Sequence, residues 1–175
     1  DPEQVIAEIR KLGGVVTVDD KAEGRPVVGV SLNGTAVNDA FLRELGVFPQ
    51  LKSLHLAGTR ITDIGLTHLG GLSSLEELGC EGTRITDAGM FLLSSFKNLR
   101  KLRLNATAIG DGGVEQIRGM VDLQELWIAD TRCTGKSLKF VAGLKDLRML
   151  DLKRVPLGNG ELAQLKGLAQ LRFLN

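Results

Sequence analysis

The stretch LKSLHLAGTRITDIGLTHLGGLSS, residues 51–74, decides the fold, because it returns directly afterwards as LEELGCEGTRITDAGMFLLSSFKN, residues 75–98. The offset is 24 residues and it persists along the chain. Leu51, Leu75, Leu99, Leu123, Leu147 and Leu171 hold one column; Leu54, Leu78, Leu102, Leu126, Leu150 and Leu174 hold another. A constant period of this size marks stacked supersecondary units, each burying its apolar face only against its neighbours. Counted from Val27, six full repeats run 27–50, 51–74, 75–98, 99–122, 123–146 and 147–170, and 171–175 opens a seventh.

Within the unit the spacing changes, and the change predicts its shape. Positions 1, 4, 6, 11, 16, 19 and 22 are apolar in every full repeat and form the expected core. Positions 4 and 6 alternate with polar neighbours, as in a strand with one buried face. Positions 16 and 19 lie three apart, as on one face of a helix. Asn38-Asp39, Thr62-Asp63 and Thr86-Asp87 precede that helical stretch, where short side-chain oxygens accept orphan backbone N–H groups. Gly71, Gly119, Gly143 and Gly167 recur at position 21, which predicts a left-handed helix end. Thr35, Thr59, Thr83, Thr107 and Thr131 share position 9, where a hydroxyl is expected to satisfy backbone groups in the turn after the strand.

These residues resemble the leucine-rich repeat family, whose signature is LxxLxLxx(N/C)xL. LKSLHLAGTRI (51–61) and LRKLRLNATAI (99–109) fit it with Thr in the Asn/Cys slot, and ITDIGLTHL (61–69) and ITDAGMFLL (85–93) resemble the segment found in F-box-associated and bacterial members. The resemblance covers residues 27–175. It implies an α/β solenoid, with a concave parallel sheet and short convex helices, that serves as a recognition module. Val155-Pro156 departs from the pattern in the sixth repeat, so a distorted turn is expected there.

Residues 1–26 lie outside the register and read as an N-terminal cap. Asp1-Pro2 suits a helix start, Val5, Ile6, Ile9 and Leu12 give one apolar face, Gly13-Gly14 close it, and Val15–Val18 reads as a strand. Only Arg10 and Lys11 favour a membrane-lying role for this helix. Leu171 and Leu174, in the short seventh unit, present an uncapped apolar edge. Such an edge invites strand pairing, so self-association through it, or continuation of the chain, is expected.

Composition narrows the function. With 22 Lys+Arg against 21 Asp+Glu the net charge is +1, without the one-signed basic face of a nucleic-acid binder. No apolar run approaches the ~20 residues of a membrane span. Cys80 and Cys133 fill core columns two repeats apart, roughly 10 Å by strand spacing, which predicts buried thiols rather than a disulfide. His55 faces the concave side and His68 the convex side, so no shared metal is expected, and no nucleophile stands beside a base. Gly110-Asp111-Gly112-Gly113 lacks phosphate-loop spacing, and the sequons at Asn33 and Asn105 coincide with the Thr column. No cofactor and no catalysis are expected.

Positions 2, 3, 5 and 7 face outward on the concave sheet. Glu77, Lys101 and Glu125 alternate in sign at position 3, next to Glu76 and Arg100, as an internal ion-pair ladder. Trp127 is the only tryptophan and lies at position 5, diagonal to Met149 and Phe173. An apolar patch in a charged field, with Trp at its centre, is the pattern of a protein-binding anchor. Arg103, Lys101, Glu125 and Asp151 form its expected polar rim; the competing reading is Trp127 stacked on Arg103. The expected function is therefore non-catalytic binding of a protein partner on the concave face. Self-assembly through the C-terminal edge, and substrate recognition within a larger enzyme such as a ubiquitin ligase, are the alternatives.

Overall fold

A computed structural model describes residues 1–175, and its backbone follows the period. Helix α1 (Pro2–Lys11) leads to β1 (Val15–Val18) and β2 (Val27–Ser31). Each later unit contributes one strand: β3 (Ser53–His55), β4 (Glu77–Gly79), β5 (Lys101–Arg103), β6 (Glu125–Trp127), β7 (Met149–Asp151) and β8 (Phe173–Leu174). One eight-stranded sheet results, with its strands in sequence order. β1 runs antiparallel to β2, and all other pairs are parallel. The pairing advances one repeat per strand, so that Leu54, Leu78, Leu102, Leu126, Leu150 and Leu174 are successive partners. This is the α/β solenoid that the repeat pattern implied.

The opposite side is built from short helices: α2 (Asp63–Thr67), α3 (Asp87–Leu93), α4 (Asp111–Gln116) and α5 (Leu138–Val141). In the first and sixth repeats the segment is a tighter 3-10 helix, Asp39–Val47 and Glu161–Gly167. The core columns are buried in the first five repeats and join one continuous cluster. In the sixth, columns 11 and 16 leave the core: Leu157 is 37% and Leu162 47% exposed. At the other edge, α1 and β1 cover the sheet, with Val5 and Ile9 inside the core. Asp1 caps α1 by accepting from Glu3 N–H at 2.9 Å.

The Thr column does what its position predicts. Each hydroxyl of Thr35, Thr59, Thr83, Thr107 and Thr131 donates to the carbonyl three residues earlier at 2.7 Å. Each such bond contributes about 1 kcal/mol net and satisfies a carbonyl that the turn removes from water. Thr62, Thr86 and Thr134 cap their helices, as does Asn38.

One expectation is corrected. None of Gly71, Gly119, Gly143 and Gly167 has a positive φ. These helices close through tight right-handed bonds such as Leu72 N–H to Leu69 C=O, so no left-handed residue is required. The left-handed turn sits at position 8 instead, where the chain leaves the strand: Gly34, Gly58 and Gly82, then Ala106, Asp130 and Arg154.

The aspartates also do more than begin their own helices. Asp39 accepts from Thr62 N–H at 2.8 Å and from its hydroxyl at 2.6 Å. Asp63 holds Thr86 with the same geometry, Asp87 takes Gly110 N–H, and Asp111 takes both donors of Thr134. Position 13 of one repeat therefore clamps position 12 of the next. The clamp leaves no room at position 15, three residues further on. A Cβ on Gly65, Gly89 or Gly113 would strike the carboxylate of Asp39, Asp63 or Asp87. In the fifth repeat the neighbour is Ser137, whose hydroxyl donates to Asp111 at 2.5 Å. At the last junction the arrangement is reversed. Gly135 replaces the aspartate, and Glu161 fills the space with its own carboxylate, accepting from Gly158 N–H.

Candidate functional site

The concave sheet presents its outward positions as ladders, because equal positions of adjacent strands are direct partners. Arg103 pairs with Trp127, Trp127 with Asp151, Lys101 with Glu125, Glu125 with Met149, and Met149 with Phe173. Trp127, Met149 and Phe173 therefore stand on three consecutive strands. Trp127 and Met149 are half-buried, and Phe173 is 53% exposed.

The Arg103 guanidinium lies over the Trp127 ring, 5.5 Å from its centroid. This stack holds the indole in place at the middle of the face. Arg103 is fixed from its other side by Glu77, Nη2 to Oε1 at 3.0 Å, and His55 Nε2 approaches the same oxygen at 3.8 Å. Lys101 reaches Glu125 at 3.5 Å. The ladder is thus internally paired, with two changes from the expected partners. Glu77 engages Arg103 rather than Lys101, and Arg100 pairs with Asp122 rather than Glu76. Such half-exposed pairs are worth little energetically. Their effect is to hold the side chains in fixed places.

Two donors in this group have no acceptor: Trp127 Nε1 and Arg103 Nε, both shielded from solvent. A buried donor without a partner costs about 1–3 kcal/mol, which marks this stack as the least satisfied polar group on the face.

Asp151 departs from its expected place in the rim. It is only 6% exposed, and its carboxylate accepts from Asn105 Nδ2 at 3.2 Å, Asn175 Nδ2 at 3.0 Å and Lys153 N–H at 3.1 Å. Three internal donors hold it as part of the floor. Asn105 also accepts from Ala129 N–H at 2.8 Å, the same bond that Asn33 makes with Ala57, so both sequon asparagines brace the next repeat.

The other candidates resolve into packing. Cys80 and Cys133 are buried free thiols, and burial raises both above their ordinary range. The glycines of 110–113 accommodate the Asp87 carboxylate. No cluster of three or more His, Cys, Asp or Glu residues is placed to hold a metal, and no helix is long and apolar enough to cross a membrane.

A family model described as Leucine Rich repeat matches residues 49–70. A search of curated proteins gives no match. Among solved structures, an internalin from Listeria monocytogenes superposes with a TM-score of 0.69 at 19% identity, over 83% of this chain and 39% of the internalin. The chain thus spans well under half of that protein. The LRR ectodomain of the receptor kinase SOBIR1 from Arabidopsis thaliana gives a TM-score of 0.56 at 17% identity, over 89% of this chain and 93% of that one. One repeat of the chain thus matches the leucine-rich repeat model, and the two structural likenesses, at 19% and 17% identity, show the same solenoid fold.

Proposed function

We propose that the concave face binds a protein partner through Trp127, Met149 and Phe173, with Arg103, Lys101 and Glu125 as the polar rim. Residues 1–26 act as the cap and 27–175 as the array that presents the face. The observation that carries this reading is the single tryptophan, held outward in a charged sheet by an arginine stack, with its N–H unsatisfied. A pre-positioned aromatic ring beside two further apolar side chains has the composition of a binding hot spot. Truncating such an anchor typically costs 2 kcal/mol or more, roughly a thirtyfold loss of affinity. Once a partner is in hand, its affinity for Trp127→Ala is measured beside the convex-side variant His68→Ala. A loss confined to Trp127→Ala supports the site. Equal affinities remove it from the central concave face.

A further inference from the structure

The outward ladder at position 5 has a gap. Gly79 stands between His55 and Arg103 on adjacent strands and offers no side chain. The space above it is occupied from both sides. A Cβ built on Gly79 would lie 3.1 Å from His55 Nδ1 and 3.0 Å from Glu81 Oε2, so ring and carboxylate converge there within about 6 Å of each other. The other ring nitrogen, Nε2, is 3.8 Å from Glu77 Oε1. His55 Nε2 therefore approaches the Glu77 carboxylate, while Nδ1 faces the gap that Glu81 enters from the other side. On its other side β2 offers only Gly29 and Ser31, and Lys52, just before its own strand, is paired with Glu76. The charged groups facing His55 are Glu77 and Glu81, with Arg103 beyond Glu77.

We propose that His55 is an acid sensor for the concave face: on taking up a proton its ring draws Glu77 from Arg103 and loosens the Arg103 stack on Trp127. A neutral imidazole donates at one nitrogen, whereas the protonated ring donates at both and carries a charge that two adjacent carboxylates attract. Imidazole is the side chain whose charge changes between about pH 5 and 8. Glu77 Oε1 then has two cations competing for it, Arg103 at 3.0 Å and His55 at 3.8 Å. Arg103 Nε already lacks an acceptor, so the loosened guanidinium has a full fork to offer an incoming carboxylate. Acidification thus adds a positive charge to the face and frees a bidentate donor, which favours an anionic partner segment. That last consequence rests on the concave-face reading above; the relay itself does not.

The relay carries its own reporter. Trp127 is the only tryptophan and the chain has no tyrosine, so the emission reads this stack alone. Emission of the partner-free protein is followed from pH 8 to pH 5, beside the ring-proton NMR signals of His55 and His68. The expected result is one step in Trp127 emission at the midpoint of the His55 signal, lost in His55→Gln and kept in His68→Gln. Glu77→Gln should remove the step while His55 still titrates, which a merely structural role would not produce. Flat emission across the His55 titration, or a step that survives His55→Gln, overturns the relay. Neither outcome touches the partner-binding site, which Trp127→Ala tests separately.

Discussion

Repeats two to four and repeat six have the same period and the same apolar columns, yet they are held differently. In the earlier repeats each junction is a carboxylate seated against a glycine, and the Thr column is intact. The sixth repeat has Val155 in the Thr column, a glycine across from Glu161, and two leucines of the core pattern turned to solvent. The apolar columns of repeats two to four are covered by the unit that follows them, whereas Leu157 and Leu162 have only residues 171–175 beyond them.

The largest expected contrast lies within column 16. Leu138 is fully buried, so Leu138→Ala should cost about 2–5 kcal/mol. Leu162→Ala, in the same column of the next repeat, should stay within about 0.5 kcal/mol, as surface changes do. Urea unfolding of the two variants measures the difference; similar costs would mean that the sixth repeat is packed as tightly as the fifth.

The junctions give a smaller effect with a sharper signature. Gly135→Asp places a carboxylate where Glu161 already sits, and should destabilise the protein. In a Glu161→Gly background the same change restores the arrangement of the earlier junctions and should be tolerated. The coupling between the two sites is expected at about 0.5–3 kcal/mol in favour of the double variant. Additive effects would show that the reversal at this junction is incidental.

The smallest effect is in acid. Burial opposes ionisation of Asp111, but the hydroxyl of Ser137 and both donors of Thr134, with Lys136 nearby, outweigh it and hold the carboxyl below its ordinary value. A lowered folded value means the ionised group stabilises the protein above the unfolded value of about 3.9, and that stability fades as pH falls through the folded value. Asp111→Asn should therefore cost more stability at pH 7 than at pH 3. A constant difference at both pH values would contradict this.

The fold was legible because its columns repeat in plain view. Leu54 or Leu102 needs no partner beyond its own column to be placed. The concave site was legible as a list, since period two puts Trp127, Met149 and Arg103 outward. The burial of Asp151 was not, because it depends on Asn105, two repeats earlier. The clamps are hidden for a related reason: an aspartate at a helix start points to its own helix, whereas the partners of Asp63 lie 23 residues ahead. A signal did exist. Glycine inside a helix costs about 1 kcal/mol relative to alanine, so Gly65, Gly89 and Gly113 in register called for a neighbour that demands the space. The misplaced left-handed turn followed from treating every glycine after a helix as its terminator.

The way each clamp straddles two units also determines which pieces of the protein are exchangeable. The third repeat could be excised whole, since Asp63 would then meet Gly113 as it now meets Gly89. Excising the fifth would bring Asp111 against Glu161, two carboxylates in one seat. It is an adaptor, accepting the aspartate convention on one side and presenting a glycine on the other. The array is thus a run of interchangeable cassettes followed by a matched pair, and shuffling or lengthening it should work only at the cassettes.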